Sequence, residues 1–199
     1  MTTELLLIPG LLCTSDLYAP QMRARLQRAR VLVADHTTAV SMPDIARSIL
    51  ASAPLKFALA GLSMGGYIAF EIMRQAPERV TRLALLDTSA KPDAPERPAL
   101  RRAQVAAVEQ SGFSAVEGKL IPLLIHPRRL TDAALVARIS HMAQMVGVTH
   151  FARQQTAIAG RPDSRPGLGA IRVPTLVLVG REDALTPVEI GRASCRDRV

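Results

Sequence analysis

The sequence predicts an α/β protein, a mostly parallel sheet covered by helices on both faces and carrying a helical insert. Three observations lead there. Residues 4–87 alternate short apolar runs of strand character with stretches of helical period, the pattern of a buried parallel sheet. A glycine-bracketed turn, Gly61-Leu62-Ser63-Met64-Gly65-Gly66, joins one of those strands to a helix. From Ala99 to Ala159 only helical periods occur, and Ile171 to Val179 then resumes the strand pattern.

Each element has its own warrant. Glu4 to Ile8 is an apolar run stopped by Pro9-Gly10, a buried strand and its turn. After a loop at Leu11 to Ser15, Asp16 is placed to cap a helix from Leu17 to about Arg28. Val31 to Val33 is a second strand, and Ser41 or Asp44 opens a helix that ends near Ala53-Pro54. Leu55 to Ala60 leads into the glycine turn, Tyr67 to Met73 reads as a buried helix, and Val80 to Leu86 is the next strand, ending in Asp87. Lys91 to Pro98 is rich in proline and charge, a linker into three or four short amphipathic helices with breaks near Gly112, Pro122, Pro127 and Gly147. Four units are expected: a core with the glycine turn over 1–90, a helical insert over 91–165, a return to the core over 166–188 and a tail over 189–199.

Composition narrows the function classes. The 199 residues suffice for one sizeable core. No apolar run approaches the roughly 20 residues of a membrane span, and Met1-Thr2-Thr3-Glu4 lacks the basic start of a signal peptide, so the expected compartment is the cytoplasm with no membrane partner. Two cysteines, Cys13 and Cys195, offer neither a disulfide framework nor a metal cluster. The net charge of +8 comes from arginines scattered among acidic residues, and aromatics are only 3%. That argues against nucleic acid as partner, because base-stacking platforms need aromatic rings. Nothing in the sequence sets an oligomeric state.

The glycine turn carries the chemistry. It fits the G-x-S-x-G nucleophile elbow, in which Ser63 is held exposed on a strained strand-to-helix turn. Gly61 and Gly65 are expected where side chains would collide with the neighbouring strand and helix. A serine hydroxyl needs a base oriented by a carboxylate. Asp183, just past the last strand, is the candidate acid, with Asp87 as its rival. An oxyanion hole needs two N–H groups. Met64 N–H is one candidate and Leu11 N–H, in the loop after the first strand, the other, with Leu12 as its neighbour. The four histidines, His36, His126, His141 and His150, all precede Asp183, and none reads as the base.

These motifs together, LLLIPG, GLSMGGY, APERVTRLALLDT and PTLVLVGREDALTP, resemble the α/β-hydrolase fold superfamily of esterase, lactonase and thioesterase type over residues 4–188. The resemblance implies a Ser-His-Asp hydrolase of a carboxylic ester, thioester or lactone. It implies a small-molecule acyl substrate, no organic cofactor and no metal. Pro9-Gly10 stands where members usually have His-Gly. Members carry the histidine after a further helix and strand. Residues 189–199, EIGRASCRDRV, resemble the translation of a common sequencing adapter at all but position 197. The final strand and helix, with the histidine, are therefore expected to be missing and this chain to be poorly active. A non-catalytic binding protein, or an acyltransferase or perhydrolase on the same scaffold, is the alternative.

Overall fold

The computed structural model describes residues 3–23 and 29–189. Five strands form one parallel sheet: β1 (Thr3–Ile8), β2 (Ala29–Val33), β3 (Phe57–Leu62), β4 (Val80–Leu86) and β5 (Thr175–Leu178), in the order β2-β1-β3-β4-β5. The chain therefore reverses direction across the sheet between β2 and β3, and the loops after β1 and β3 emerge side by side. In open α/β sheets that is where ligands bind.

One face is sealed by two helices. Met42, Ile45, Ala46 and Ile49 of α2 (Met42–Ser52) recur at helical spacing and are buried. With Ile68, Ala69 and Ile72 of α3 (Met64–Gln75) they pack on Leu6, Ile8, Leu59 and Leu85 of the sheet. Ser41 caps α2, its hydroxyl accepting from Asp44 N–H at 3.3 Å. At the other end Arg79 takes up the free carbonyls, donating to Leu50 O, Ala53 O and Pro54 O.

The second face is covered unevenly. Leu7, Tyr18 and Ala60 form a small cluster there with Leu5, Val31 and Leu62. Over β3, β4 and β5 the face is open, with a depression of about 420 Å³ lined by Ala58, Ala60, Ala84 and Leu176 among others. Leu176 and Leu178 are each 56% exposed. Five residues suffice for α1 (Ala19–Arg23), which follows a 3-10 helix at Ser15–Tyr18. Its cap is Thr14, whose hydroxyl accepts from Asp16 N–H at 3.3 Å, and not Asp16. Asp16 turns outward to Arg138 at 3.1 Å. The stretch expected to carry this helix to Arg28 lies beyond the described residues, as do 190–199 with Cys195.

Between β4 and β5 lie α4 (Arg97–Ser111), α5 (Ser114–Leu124) and α6 (Ala133–Ala159). Two expected breaks come out differently from each other. Gly147 kinks α6, with φ 76° and ψ 165°. Pro122 stays inside the last turn of α5, where its missing N–H costs one helical bond and the chain leaves at Ile125 anyway. These helices bury their own cluster of Val108, Phe113, Val116, Ala143, Val146 and Phe151, with the two phenyl rings edge to face at 5.7 Å.

The entry and exit of this helical segment are stitched together. Asp93, its side chain 5% exposed, accepts from Arg101 and Arg161. Arg161 also donates to Lys91 O at 3.1 Å and lies 4.3 Å over the Tyr67 ring, and Ser164 N–H donates to Ala90 O at 2.8 Å. Burial pushes the Asp93 carboxyl up, but the two guanidinium groups hold it below the ordinary carboxylate value. A depressed folded-state pKa gives stability that is present above about pH 4 and lost as pH falls through the lowered value. Asp93→Asn leaves two buried guanidinium groups short of a charge, a loss of about 3 kcal/mol or more. Thermal melts at pH 7 should show a midpoint lower by roughly 6–12 °C, with the gap to the parent closing in strong acid.

Candidate active site

Ser63 occupies the turn between β3 and α3 with φ 53° and ψ −113°. An L-residue held at positive φ costs about 1–3 kcal/mol unless its surroundings dictate it. Here they do. Ser63 N–H donates to Leu86 O at 2.9 Å, and Ser63 O accepts from Gly66 N–H at 2.9 Å and from the Thr88 hydroxyl at 2.7 Å. The glycines allow the crossing. A Cβ at Gly61 would stand 2.2 Å from Gly65 O, and one at Gly65 would stand 2.1 Å from Ile8 O. The first turn of α3 thus lies directly on the ends of β1 and β3.

That approach brings the loop after β1 beside Ser63. A Cβ at Gly10 would lie 3.5 Å from Ser63 Cβ. Leu11 N–H has no hydrogen-bond partner among the described residues, and neither has Met64 N–H at the start of α3. Leu12 N–H is engaged, donating to the Gln154 side-chain oxygen at 3.2 Å. Of the two loop amides weighed from the sequence, Leu11 is therefore the one left open.

Asp87 and Asp183 come together at Gly180, as parallel topology requires of residues at neighbouring strand ends. Gly180 N–H donates to Asp87 Oδ1 at 2.8 Å. Asp183 Oδ1 accepts from Leu185 N–H and Thr186 N–H, both at 2.8 Å, and its Oδ2 from the Thr186 hydroxyl at 2.7 Å. Burial raises the Asp87 carboxyl, and the Asp183 charge and hydrogen bond raise it further against the pull of Gly180 N–H. Burial acts upward on Asp183 too, but the Thr186 and Leu185 donors and the bond from Asp87 bring it below its ordinary value. The two carboxyls titrate as a pair, with the upward shift on Asp87 and the downward shift on Asp183.

The histidines are elsewhere. His36 is 2% exposed, with Nε2 3.0 Å from Gly10 O. His126 Nε2 is 2.7 Å from Glu182 Oε2, His150 Nδ1 is 2.8 Å from Val146 O, and His141 is exposed on α6. No histidine hydrogen-bonds to Ser63 or Asp183 among the described residues. Among those residues, too, no group of three or more His, Cys, Asp or Glu is arranged to hold a metal ion, and no helix is long and apolar enough to cross a membrane.

A family model described as Hydrolase_4, serine aminopeptidase S33, matches residues 18–196. The chain belongs to this S33 hydrolase family. The "Putative carbamate hydrolase RutD" of Azorhizobium caulinodans is 28% identical to it, over 93% of this chain and 75% of that protein. The "3-oxoadipate enol-lactonase 2" of Acinetobacter baylyi is 26% identical over 68% of this chain and 49% of its own length. A solved structure, that of a thermophilic esterase from Thermogutta terrifontis, superimposes with a TM-score of 0.86 at 29% identity, covering 98% of this chain and 77% of that one. The S33 chain thus has the α/β-hydrolase fold and is, at family level, a hydrolase.

Sequence reading missed three participants: Thr88, Gln154 and the His36 contact with Gly10. Thr88 left a trace in the second glycine of the pair, since a Cβ at Gly66 would stand 2.3 Å from its hydroxyl oxygen. Gln154 left none, for a glutamine inside a helical period reads as surface.

The two acids should respond oppositely to neutralisation. Asp87 is raised in the folded state, so its ionised form opposes folding at neutral pH. Its favourable contribution is present below about pH 4 and lost as pH rises through the folded value. Asp183 is lowered, and its contribution is present above about pH 4. Asp87→Asn keeps the acceptor for Gly180 N–H and tolerates the φ of 42°. Its melting point at pH 7 should equal or exceed the parent's, whereas Asp183→Asn should lower it. In strong acid both differences should shrink.

Proposed function

We propose that this chain carries the nucleophile, oxyanion hole and acid of a serine hydrolase acting on a carboxylic ester, thioester or lactone. The observation that carries the reading is Ser63 at positive φ, with two uncommitted N–H groups, Leu11 and Met64, on the elements flanking it.

The Ser63 hydroxyl oxygen attacks the acyl carbon as its proton passes to a base, and the carbonyl π electrons move onto oxygen. Leu11 and Met64 N–H groups receive that oxyanion, at the positive end of the α3 dipole. The tetrahedral adduct expels the alcohol or thiol, which takes the proton from the base. Water, activated by the same base, then releases the acid and restores Ser63. Asp183 is the carboxylate that orients the base, held just past β5 by three donors. Among the described residues no histidine stands in the base's place: His36 and His126 are bound to other groups, and His141 and His150 lie on α6. The helices α4 to α6 form a cap over the site. The relatives named above, a carbamate hydrolase, a lactonase and an esterase by their printed names, favour small acyl compounds over proteins as substrates.

Chemical rescue tests this on the chain as it stands. Added imidazole should supply the base, so p-nitrophenyl acetate hydrolysis by the parent, less that by Ser63→Ala, should rise with imidazole concentration. Without imidazole the parent and Ser63→Ala should share the residual rate of about 10³ over water that an oxyanion hole and binding supply alone, so their difference should be near zero. A rate identical in the parent and in Ser63→Ala at every imidazole concentration would sink the reading in favour of a binding protein.

A further inference from the structure

The loop after β1 does not hold its own shape. Leu12 sits at φ 61°, a conformation that costs a β-carbon residue about 1–3 kcal/mol. Its side chain is buried in the cluster of α4 to α6, with Val108, Phe113 and Phe151. Its N–H is taken by Gln154 of α6, a residue 0% exposed, beyond the Gly147 kink. The preceding carbonyl, Gly10 O, faces His36 Nε2 at 3.0 Å and accepts from Cys13 N–H at 3.1 Å. His36 Nε2 and the Gln154 side-chain nitrogen are 3.1 Å apart, which closes a ring of contacts around the loop.

Peptide geometry turns these contacts into a statement about Leu11. The Gly10–Leu11 peptide is planar and trans, so its N–H points opposite to its C=O. Gripping Gly10 O on the His36 side therefore aims Leu11 N–H the other way. The next peptide is gripped by its N–H, which removes Leu12 as a donor. We propose that His36 and Gln154 are positioning residues that make Leu11 N–H the loop's oxyanion donor and tie its alignment to the seating of α6. Neither touches the substrate.

His36 works as a neutral ring. Its grip on Gly10 O requires the proton on Nε2, and the Gln154 NH₂, 3.1 Å from the same nitrogen, then packs beside it without a hydrogen bond. Burial holds it below the ordinary imidazole value, against the opposing pull of Gly10 O and Asp35. Gln154 is fixed more narrowly. Its oxygen must accept from Leu12 N–H, which turns its NH₂ toward His36. A protonated glutamic acid has the same acceptor and donor in the same places, and methionine has the shape with neither.

The inference rests on Ser63 being the nucleophile, and the test separates the two ideas. A fluorophosphonate places a P=O oxygen where the oxyanion would sit, so its labelling of Ser63 reads the alignment of the hole. Under saturating probe, with imidazole at one fixed concentration as the base, Gln154→Met should lower the limiting labelling rate about 10- to 100-fold, with half-saturation changed less than about threefold. Gln154→Glu should restore most of the rate. If Gln154→Met labels like the parent, or loses only probe affinity while the limiting rate holds, positioning by Gln154 is overturned and the serine reading stands. If Ser63→Ala labels as fast as the parent, both fall. A measurement on the parent alone guards against a variant that does not fold. Phosphonylation of Ser63 should move the Leu11 and Met64 amide-proton resonances downfield and leave Leu12 in place. A downfield shift of Leu12 in place of Leu11 overturns the proposal.

Discussion

The contact on which the rest depends is backbone against backbone, where the first turn of α3 lies on the end of β1. Room for a single β-carbon at Gly65 does not exist there, since it would fall 2.1 Å from Ile8 O. The gap between α3 and the strands is set by this contact and by its counterpart at Gly61. It lets the carbonyl and N–H of Ser63 reach Thr88 and β4, so that the strained conformation is dictated by the hydrogen bonds on either side. It also brings Gly10 beside Ser63, where an added Cβ would lie 3.5 Å from the serine's own. The parallel order β2-β1-β3-β4-β5 then brings the acids Asp87 and Asp183 to the same edge.

Electrostatics sorts the residues at that edge. Two carboxylates at one glycine cannot both be comfortable ionised. The donors are divided unequally, three on Asp183 and one on Asp87, and the more heavily bonded carboxyl is the one held below its ordinary value. A similar division operates in the loop after β1. Leu12 N–H has a buried acceptor and Leu11 N–H has none among the described residues, so the loop presents one donor and not two.

Much of this was legible in the residues. The alternation over 4–87 foretold a parallel sheet because strands buried on both faces cannot hide their apolar runs. Gly61 and Gly65 announced a close crossing because glycine is the residue that survives one. Legibility failed where a side chain acts across a long separation with no periodic signature. Gln154 meets Leu12 across 142 positions, and Asp93 meets Arg161 across 68. Local signals also misassigned the cap of the first helical turn to Asp16, where Thr14 takes the role and Asp16 pairs with Arg138. Asp183 was preferred to Asp87 from its place past the last strand, and the unequal donors on the two carboxyls have no trace in the sequence.

The central claim is that Ser63, Leu11 N–H and Met64 N–H converge on one point in space. A crystal structure of the chain with Ser63 phosphonylated measures that convergence directly. The phosphonyl oxygen should lie within about 3 Å of both nitrogens, with Leu12 N–H still on Gln154. A phosphonyl oxygen turned to solvent, or bound to Leu12 N–H with Gln154 displaced, would contradict it.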